Sequence, residues 1–189
     1  MKTKTTIVDK TDSYPVVVTK NGQFAIGDEV ICARSKGNFY EATHKFASLA
    51  AGATAVIYLP NHATLTSKYL IKLSNIQYTE STEVVLYKEP KVTANGTEIS
   101  AYNHDTTSAN KFPIKLYHTP TSSENGTQII GTQTVVASAT LPNRTQVNEG
   151  NISKGRIVSL DNKYLLTLKN LGDAAQDLYV TLEFITDLL

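Results

Sequence analysis

The sequence predicts a mainly β protein, an antiparallel β-sandwich or jelly-roll-like fold with one short helix in its N-terminal third. Three observations lead to this prediction. About a quarter of the 189 residues are Thr, Ser or Asn, residue types that favour half-buried strands and turns. Several segments alternate apolar and polar residues with a period of two. Turn signals recur between these segments, as they do in sandwiches and barrels.

The first third of the chain has mixed patterning. Short strands are predicted at residues 15–19 and 27–33, with an Asn-Gly turn at residues 21–22 between the two. A buried strand is predicted at residues 55–59, where it ends before Pro60.

The predicted helix covers residues 39–51. Its apolar residues recur at spacings of three and four, and Gly52 supplies a stop signal. These apolar residues are Phe39, Ala42, Phe46, Leu49 and Ala50.

From residue 67 onward the period of two is regular. Tyr69, Ile71 and Leu73 share one face of a predicted strand, with lysines and a serine on the other face. Residues 82–88 follow the same rule. The clearest alternation lies near the C-terminus, where apolar Leu178, Val180, Leu182 and Phe184 alternate with Asp177, Tyr179, Thr181 and Glu183.

An internal repeat is the most informative feature of the sequence. Residues 86–99 (LYKEPKVTANGTEI) align without gaps on residues 116–129 (LYHTPTSSENGTQI), at an offset of 30 residues and with seven identities. Each copy predicts a strand that ends at Pro, a loop that turns at Asn-Gly, and a new strand. Two copies are fewer than a solenoid needs, so the repeat favours two similar layers in one fold.

A second similarity pairs residues 68–76 (KYLIKLSNI) with residues 163–171 (KYLLTLKNL). Each copy is followed by a polar stretch and a further strand, which predicts two hairpins, at residues 68–88 and 163–185. The most natural boundary in the chain lies at residues 60–66. We therefore expect an N-terminal arm with a small mixed subdomain at residues 1–66 and a β-sandwich domain at residues 67–189.

Charge and cysteine content exclude several classes of protein. The formal net charge is +1, from 18 Lys and Arg against 17 Asp and Glu, and nucleic-acid binding needs a clustered basic excess that is absent here. Cys32 is the single cysteine, so no internal disulfide is possible, and a buried, inert thiol is expected. We expect no signal peptide and no membrane span, since the longest weakly polar run, residues 47–59, is too short to cross a bilayer.

No catalytic motif is recognisable, so we predict no catalytic residues, no cofactor and no metal site. Glu41 and His44 share one face if residues 39–51 are helical, a pair that is more typical of a solvated surface than of a metal site. Asn103, His104 and Asp105 form a polar loop that suits an ion or a partner, although a simple turn is the favoured interpretation.

Four segments together resemble small β-rich virion proteins of tailed bacteriophages. These segments are KYLIKLSNI, TEVVLYKEP, the stretch from NGTEISAYNHD to LYHTPTSSENGTQI, and KYLLTLKNLGDAAQDLYVTLEF, and the resemblance spans some 60% of the chain. It implies a structural role as a capsid decoration or stabilisation protein, or as the base of a head fibre. It implies binding to the major capsid protein, an oligomer with a trimer favoured, a place on the virion surface, and no catalytic residues.

The polar N-terminus fits such a role as an arm that adds a strand to a partner's sheet. The residues predicted to bind the partner are Lys2, Lys4, Ile7, Val8 and Tyr14. The alternative function is a non-catalytic glycan-binding β-sandwich. That alternative needs an exposed row of aromatic rings, for instance Tyr40, Tyr58 and Tyr102, because the chain has no Trp.

Overall fold

The computed structural model describes residues 16–18, 24–26, 37–61, 68–135, 156–159 and 161–188. These residues form fifteen strands, and they contain no helix. The strands are β1 (Val16–Val18), β2 (Phe24–Ile26), β3 (Phe39–Leu49), β4 (Thr54–Leu59), β5 (Lys68–Gln77), β6 (Thr82–Lys88), β7 (Lys91–Ala94), β8 (Thr97–Ile99), β9 (Tyr102–Asn103), β10 (Leu116–His118), β11 (Thr121–Glu124), β12 (Thr127–Val135), β13 (Arg156–Ser159), β14 (Tyr164–Asn170) and β15 (Gln176–Leu188).

Eleven of these strands belong to two large sheets. One sheet has six strands in the order β12-β6-β14-β4-β10-β8, and the other has five in the order β13-β5-β15-β3-β9. Strands β1 and β2 form a separate pair, and so do β7 and β11. Every described strand pair is antiparallel, which confirms the prediction of a mainly β, antiparallel protein.

Both large sheets contribute side chains to one hydrophobic core. Leu166 and Leu168 of β14 enter it from the six-stranded sheet, and Leu182 and Phe184 of β15 enter it from the five-stranded sheet. All four side chains are almost fully buried. Burial of a side chain of this size contributes roughly 2 kcal/mol, so the two central strands supply much of the stabilisation.

The prediction of a helix at residues 39–51 is wrong, because most of this segment is strand β3. Tyr40 and Ala42 are buried against the core while Thr43 and Lys45 are exposed, which is the period-two alternation of a strand. The backbone of β3 pairs with β15 along nine register positions and with β9 at its start. These long-range hydrogen bonds override the local spacing of three and four.

The two predicted hairpins are also wrong, although their strands are confirmed. Strands β5 and β6 are consecutive but lie in different large sheets, and so do β14 and β15. Each pair is therefore a β-arch, in which the chain crosses from one sheet to the other. Strands β3 and β4 form a third arch of the same kind.

The three arches stack side by side. The β14/β15 arch lies in the middle, because β14 pairs with β4 and β6 while β15 pairs with β3 and β5. This stacking also bears on domain organisation. Strands β3 and β4 precede residue 66 but lie inside the two large sheets, so they share the core of the later residues. The division into an N-terminal arm with a small subdomain at residues 1–66 and a second domain at residues 67–189 stays a prediction.

The internal repeat folds as two interlocked copies. The first strand of each copy pairs with the last strand of the other: Lys88 of β6 lies opposite Thr127 of β12, and His118 of β10 lies opposite Thr97 of β8. Since residue 88 corresponds to 118 and residue 97 to 127 in the repeat, the two pairings are related by a pseudo-two-fold axis. The residues that follow the first strands, Glu89 and Thr119, both have positive φ, at 56° and 54°.

This interlocking carries a two-stranded ribbon across the outer face of the six-stranded sheet. Strand β7 connects β6 to β8, and β11 connects β10 to β12; each connection passes three intervening strands. The inner face is occupied by the core, so β7 and β11 cross on the outer face, where they pair with each other. The pairs Val92–Ser122 in the ribbon and Tyr58–Leu165 in the sheet both lie at the pseudo-two-fold axis.

Candidate functional site

A buried polar cluster ties the loops of the three arches together. The Asn170 side chain is fully buried, and its amide nitrogen donates to the carbonyl oxygens of Leu49, Ala50 and Ala174 at 2.8–3.2 Å. Its amide oxygen accepts from the Gly172 N–H at 2.9 Å. One side chain thus joins the β3/β4 arch to the central β14/β15 arch.

Gln176 performs the corresponding task on the other side of the central arch. Its side-chain oxygen accepts from the backbone N–H groups of Thr79 and Glu80, and its nitrogen donates to the hydroxyl of Thr82 at 3.1 Å. The Thr82 hydroxyl donates in turn to the carbonyl of Glu80. Every one of these bonds is internal, so the cluster holds the fold together rather than presenting groups to a ligand.

Sequence reasoning missed this cluster. Asn170 and Gln176 flank the stretch at residues 171–175, at the end of the second KYL segment. The sequence predicts an ordinary hairpin turn for that stretch. The one available signal was the position of Asn170, which has a counterpart in Asn75 of the first copy.

The polar loop at residues 103–105 forms a turn of its own, held by side-chain bonds. The Asn103 side chain donates to the carbonyl oxygens of Gly37 and Asn110, and its oxygen accepts from the N–H of Asp105. Asp105 accepts from both the backbone and the hydroxyl of Thr107, and these hydrogen bonds lower the pKa of its carboxyl group. The Asp105 contacts are those of a turn, and the Asn103 side chain also ties this turn to Gly37 and Asn110.

The strand conformation of β3 separates Glu41 from His44. Glu41 lies on the outer face of the sheet, where its carboxylate is 3.1 Å from Nε2 of His104. His44 lies on the opposite, inner face and stacks on His118. The prediction that Glu41 and His44 share a face depended on the helix and is wrong with it.

The outer face of the five-stranded sheet is polar, and its charges are paired. Lys45 contacts Asp177 at 2.5 Å and lies over the ring of Tyr179, while the hydroxyls of Thr43 and Thr181 are 3.1 Å apart. The hydrogen bond from Lys45 and the hydrogen bond from the Ser48 N–H lower the pKa of the Asp177 carboxyl group. Opposite charges therefore neutralise one another on this surface.

The three tyrosines named for a sugar-stacking row do not form one. Tyr40 and Tyr58 are buried at 2% and 4% exposure, whereas Tyr102 is 70% exposed on the edge strand β9. Burial raises the pKa of Tyr58, and the carboxylate of Glu89 raises it further. Among these three tyrosines only one ring is exposed, and it offers one stacking surface, not a platform.

The predicted partner-binding residues Lys2, Lys4, Ile7, Val8 and Tyr14 lie outside the described residues, as does Cys32. Within the described ranges, no group of three or more His, Cys, Asp or Glu side chains is placed to hold a metal ion. The same ranges include no helix of the length and apolarity needed to cross a membrane.

Comparisons with family models, with curated proteins and with solved structures give no match to this chain.

Proposed function

We propose that the chain is a structural, non-catalytic virion protein that decorates or stabilises a bacteriophage capsid by binding the major capsid protein. In this proposal the two large sheets form a β-sandwich, which acts as a rigid body. The protein assembles as an oligomer, with a trimer favoured because closed symmetry suits a three-fold position on a particle.

One observation carries the proposal: the polar groups of the described fold are used to reinforce it. Asn170 bonds to two backbone carbonyls of the β3/β4 arch, and Gln176 bonds to three groups of the β5/β6 arch. Asn103 ties its loop to the carbonyl of Gly37. The central strands β4 and β14 lie beneath a crossing ribbon on one face and against the core on the other. Such a body resists deformation, which is what a particle-bound protein requires.

The outer surface supports the same proposal. Charge pairs and threonine hydroxyls cover the outer face of the five-stranded sheet, and the whole chain has a formal net charge of +1. A neutral polar face stays hydrated and does not attract nucleic acid or other charged polymers. Attachment then depends on a separate segment, and the N-terminal arm at residues 1–14 is that segment in this proposal.

The test is co-sedimentation with capsids of the bacteriophage that encodes the chain. Purified protein is titrated onto capsids and pelleted, and sedimentation velocity gives the oligomeric state of the protein alone. We expect saturable pelleting and an oligomer. A strict monomer that stays in the supernatant at all concentrations overturns the proposal.

Deletion of residues 1–14 tests the arm separately. We expect the shortened protein to lose particle association while its far-ultraviolet circular dichroism stays unchanged. The matched control is Tyr102→Ala, which removes an exposed ring outside residues 1–14. This variant should pellet like the unmodified protein. Undiminished pelleting of the deletion variant refutes the arm but leaves capsid binding by the body intact.

The exposed ring of Tyr102 favours one alternative, a glycan-binding β-sandwich on a virion or cell surface. Stacking of a sugar on one tyrosine is a weak interaction, so binding would depend strongly on that ring. A glycan array read with the unmodified chain and with Tyr102→Ala decides between the two. Signals that vanish in the variant establish glycan binding, and an array without signals removes this alternative.

A further inference from the structure

A stacked pair of imidazole rings joins the two large sheets near one side of the core. His44 lies on β3 of the five-stranded sheet, and His118 lies on β10 of the six-stranded sheet. Their ring centroids are 4.1 Å apart and the planes are inclined by 24°. The edge of Phe46 packs on His44 at 4.6 Å and faces His118 at 6.2 Å. Both imidazoles are half-buried.

Among the described residues, the strands around the pair offer it no compensating negative charge. His44 lies opposite Val180 of β15, and His118 lies opposite Ile57 of β4 and Thr97 of β8. The titratable residues that neighbour the pair along these strands lie on the outer faces of the sheets. On the five-stranded sheet, Lys45 bonds to Asp177 and lies over the ring of Tyr179. On the six-stranded sheet, Glu98 bonds to Lys115, and Tyr58 and Tyr117 lie on the outer face.

The remaining polar contact of the pair is neutral. The Nδ1 atom of His118 lies 3.0 Å from the Thr119 hydroxyl. Burial lowers the pKa of His44, and the neighbouring His118 lowers it further. Protonation of both rings would place two like charges about 4 Å apart in a partly desolvated setting.

We propose that His44 and His118 form an acid-sensitive contact between the sheets, which is closed while at least one ring is neutral and opens when both rings are protonated. Opening loosens β10 together with β8, because β8 is held in its sheet only by β10 among the described strands. Strands β14 and β6 lie farther inside the same sheet and stay closed. The consequence is a local release at one sheet edge in acid, not unfolding of the whole protein.

Amide hydrogen exchange on the full chain tests this directly. Exchange is measured by NMR at pH 7.5 and pH 5.0 and corrected for the intrinsic pH dependence of the reaction. We expect the opening equilibrium at the amides of β10 and Thr119 to rise about tenfold at the lower pH, because the open state accepts protons that the stacked pair disfavours. The amides of Leu166 and Leu168 in β14 are internal controls and should change by less than twofold. Equal protection of β10 at both pH values overturns the proposal.

Two variants separate the imidazole pair from other acid effects. His118→Phe keeps a stacked ring that does not titrate, and it should abolish the tenfold difference. His104→Gln removes a histidine that lies outside the pair and should preserve it. If His118→Phe does not fold, His44→Phe makes the same test from the other sheet. A difference that persists in either phenylalanine variant refutes the assignment to this pair.

Discussion

The interlocked repeat makes a sharp prediction about its two Asn-Gly turns. Gly96 and Gly126 have φ of +88° and +89°, a conformation that L residues rarely adopt. A Cβ added at Gly96 would fall on the carbonyl oxygen of His118 and lie 2.8 Å from the carbonyl carbon of Thr119. At Gly126 it would meet the carbonyl groups of Lys88 and Glu89 in the same way. The proposed perturbation is therefore Gly→Ala at each turn.

The expected cost has two parts. The left-handed backbone costs an alanine roughly 1–2 kcal/mol, and forcing backbone atoms apart adds about 1–3 kcal/mol of overpacking strain. Gly96→Ala and Gly126→Ala should each lower the free energy of unfolding by about 2–5 kcal/mol. Gly52→Ala is the matched control, because Gly52 also has positive φ, at 72°, but nothing lies within 4 Å of its added Cβ. It should cost only the first part.

Urea unfolding monitored by circular dichroism, with linear extrapolation to water, measures all three variants. The pseudo-two-fold relation requires the two turn variants to agree within about 1 kcal/mol, since each meets the equivalent carbonyl of the other copy. A Gly96→Ala variant as stable as Gly52→Ala would refute the close approach of the two copies. Unequal costs at the two turns would refute the equivalence instead.

Two further predictions concern the arches and their outer face. Asn170→Ala should lower the free energy of unfolding in urea by about 3 kcal/mol, because it leaves buried carbonyl groups without a hydrogen-bond donor. The control Asn61→Ala removes an exposed side chain and should change that free energy by less than about 0.5 kcal/mol. Similar values for both variants contradict the role of the buried amide. The pKa of Asp177 is held below its ordinary 3.8 by Lys45, so the stability this group contributes is present above pH 3.8 and is lost as the pH falls through the lower, folded value. Asp177→Asn should therefore flatten the fall of the thermal midpoint below pH 4, and an unchanged fall would show that Asp177 does not contribute.

Strand positions after residue 67 could be predicted from the sequence, because one face of each strand is buried and the other is exposed to solvent. Leu178, Val180, Leu182 and Phe184 are the clearest case: all four are in the core. Partners of the strands could not be predicted in the same way. The alternation of a strand indicates which side chains face inward, but a loop of four or five residues is compatible with a hairpin and with an arch. The hairpin prediction failed for that reason.

The prediction of a helix over residues 39–51 failed for a different reason. Phe39, Ala42 and Phe46 fit a helical spacing, but Tyr40, Ala42 and Phe46 also fit a period of two if His44 counts as an inward residue. Sequence reasoning treated that histidine as polar and outward. The structure places it on the inner face, against a second histidine 74 positions later in the chain, and a contact of that separation leaves no local signal. The same error concealed both the strand and the imidazole pair.

The position of the central arch has a consequence for the order in which the protein can be made. Among the fifteen strands of the described residues, β14 and β15 come latest in the sequence, yet each occupies the middle of a large sheet. Until they emerge, β4 and β6 have no common neighbour, and neither do β3 and β5. Pairing between residues more than 100 positions apart, such as Val56 with Thr167, must then close both sheets in one late step. Closure of the two large sheets therefore waits until residues 164–188 have been synthesised, and it proceeds at the slow rate of non-local β topologies. A nascent chain that stops before residue 164 lacks the strands that join the two halves of each large sheet.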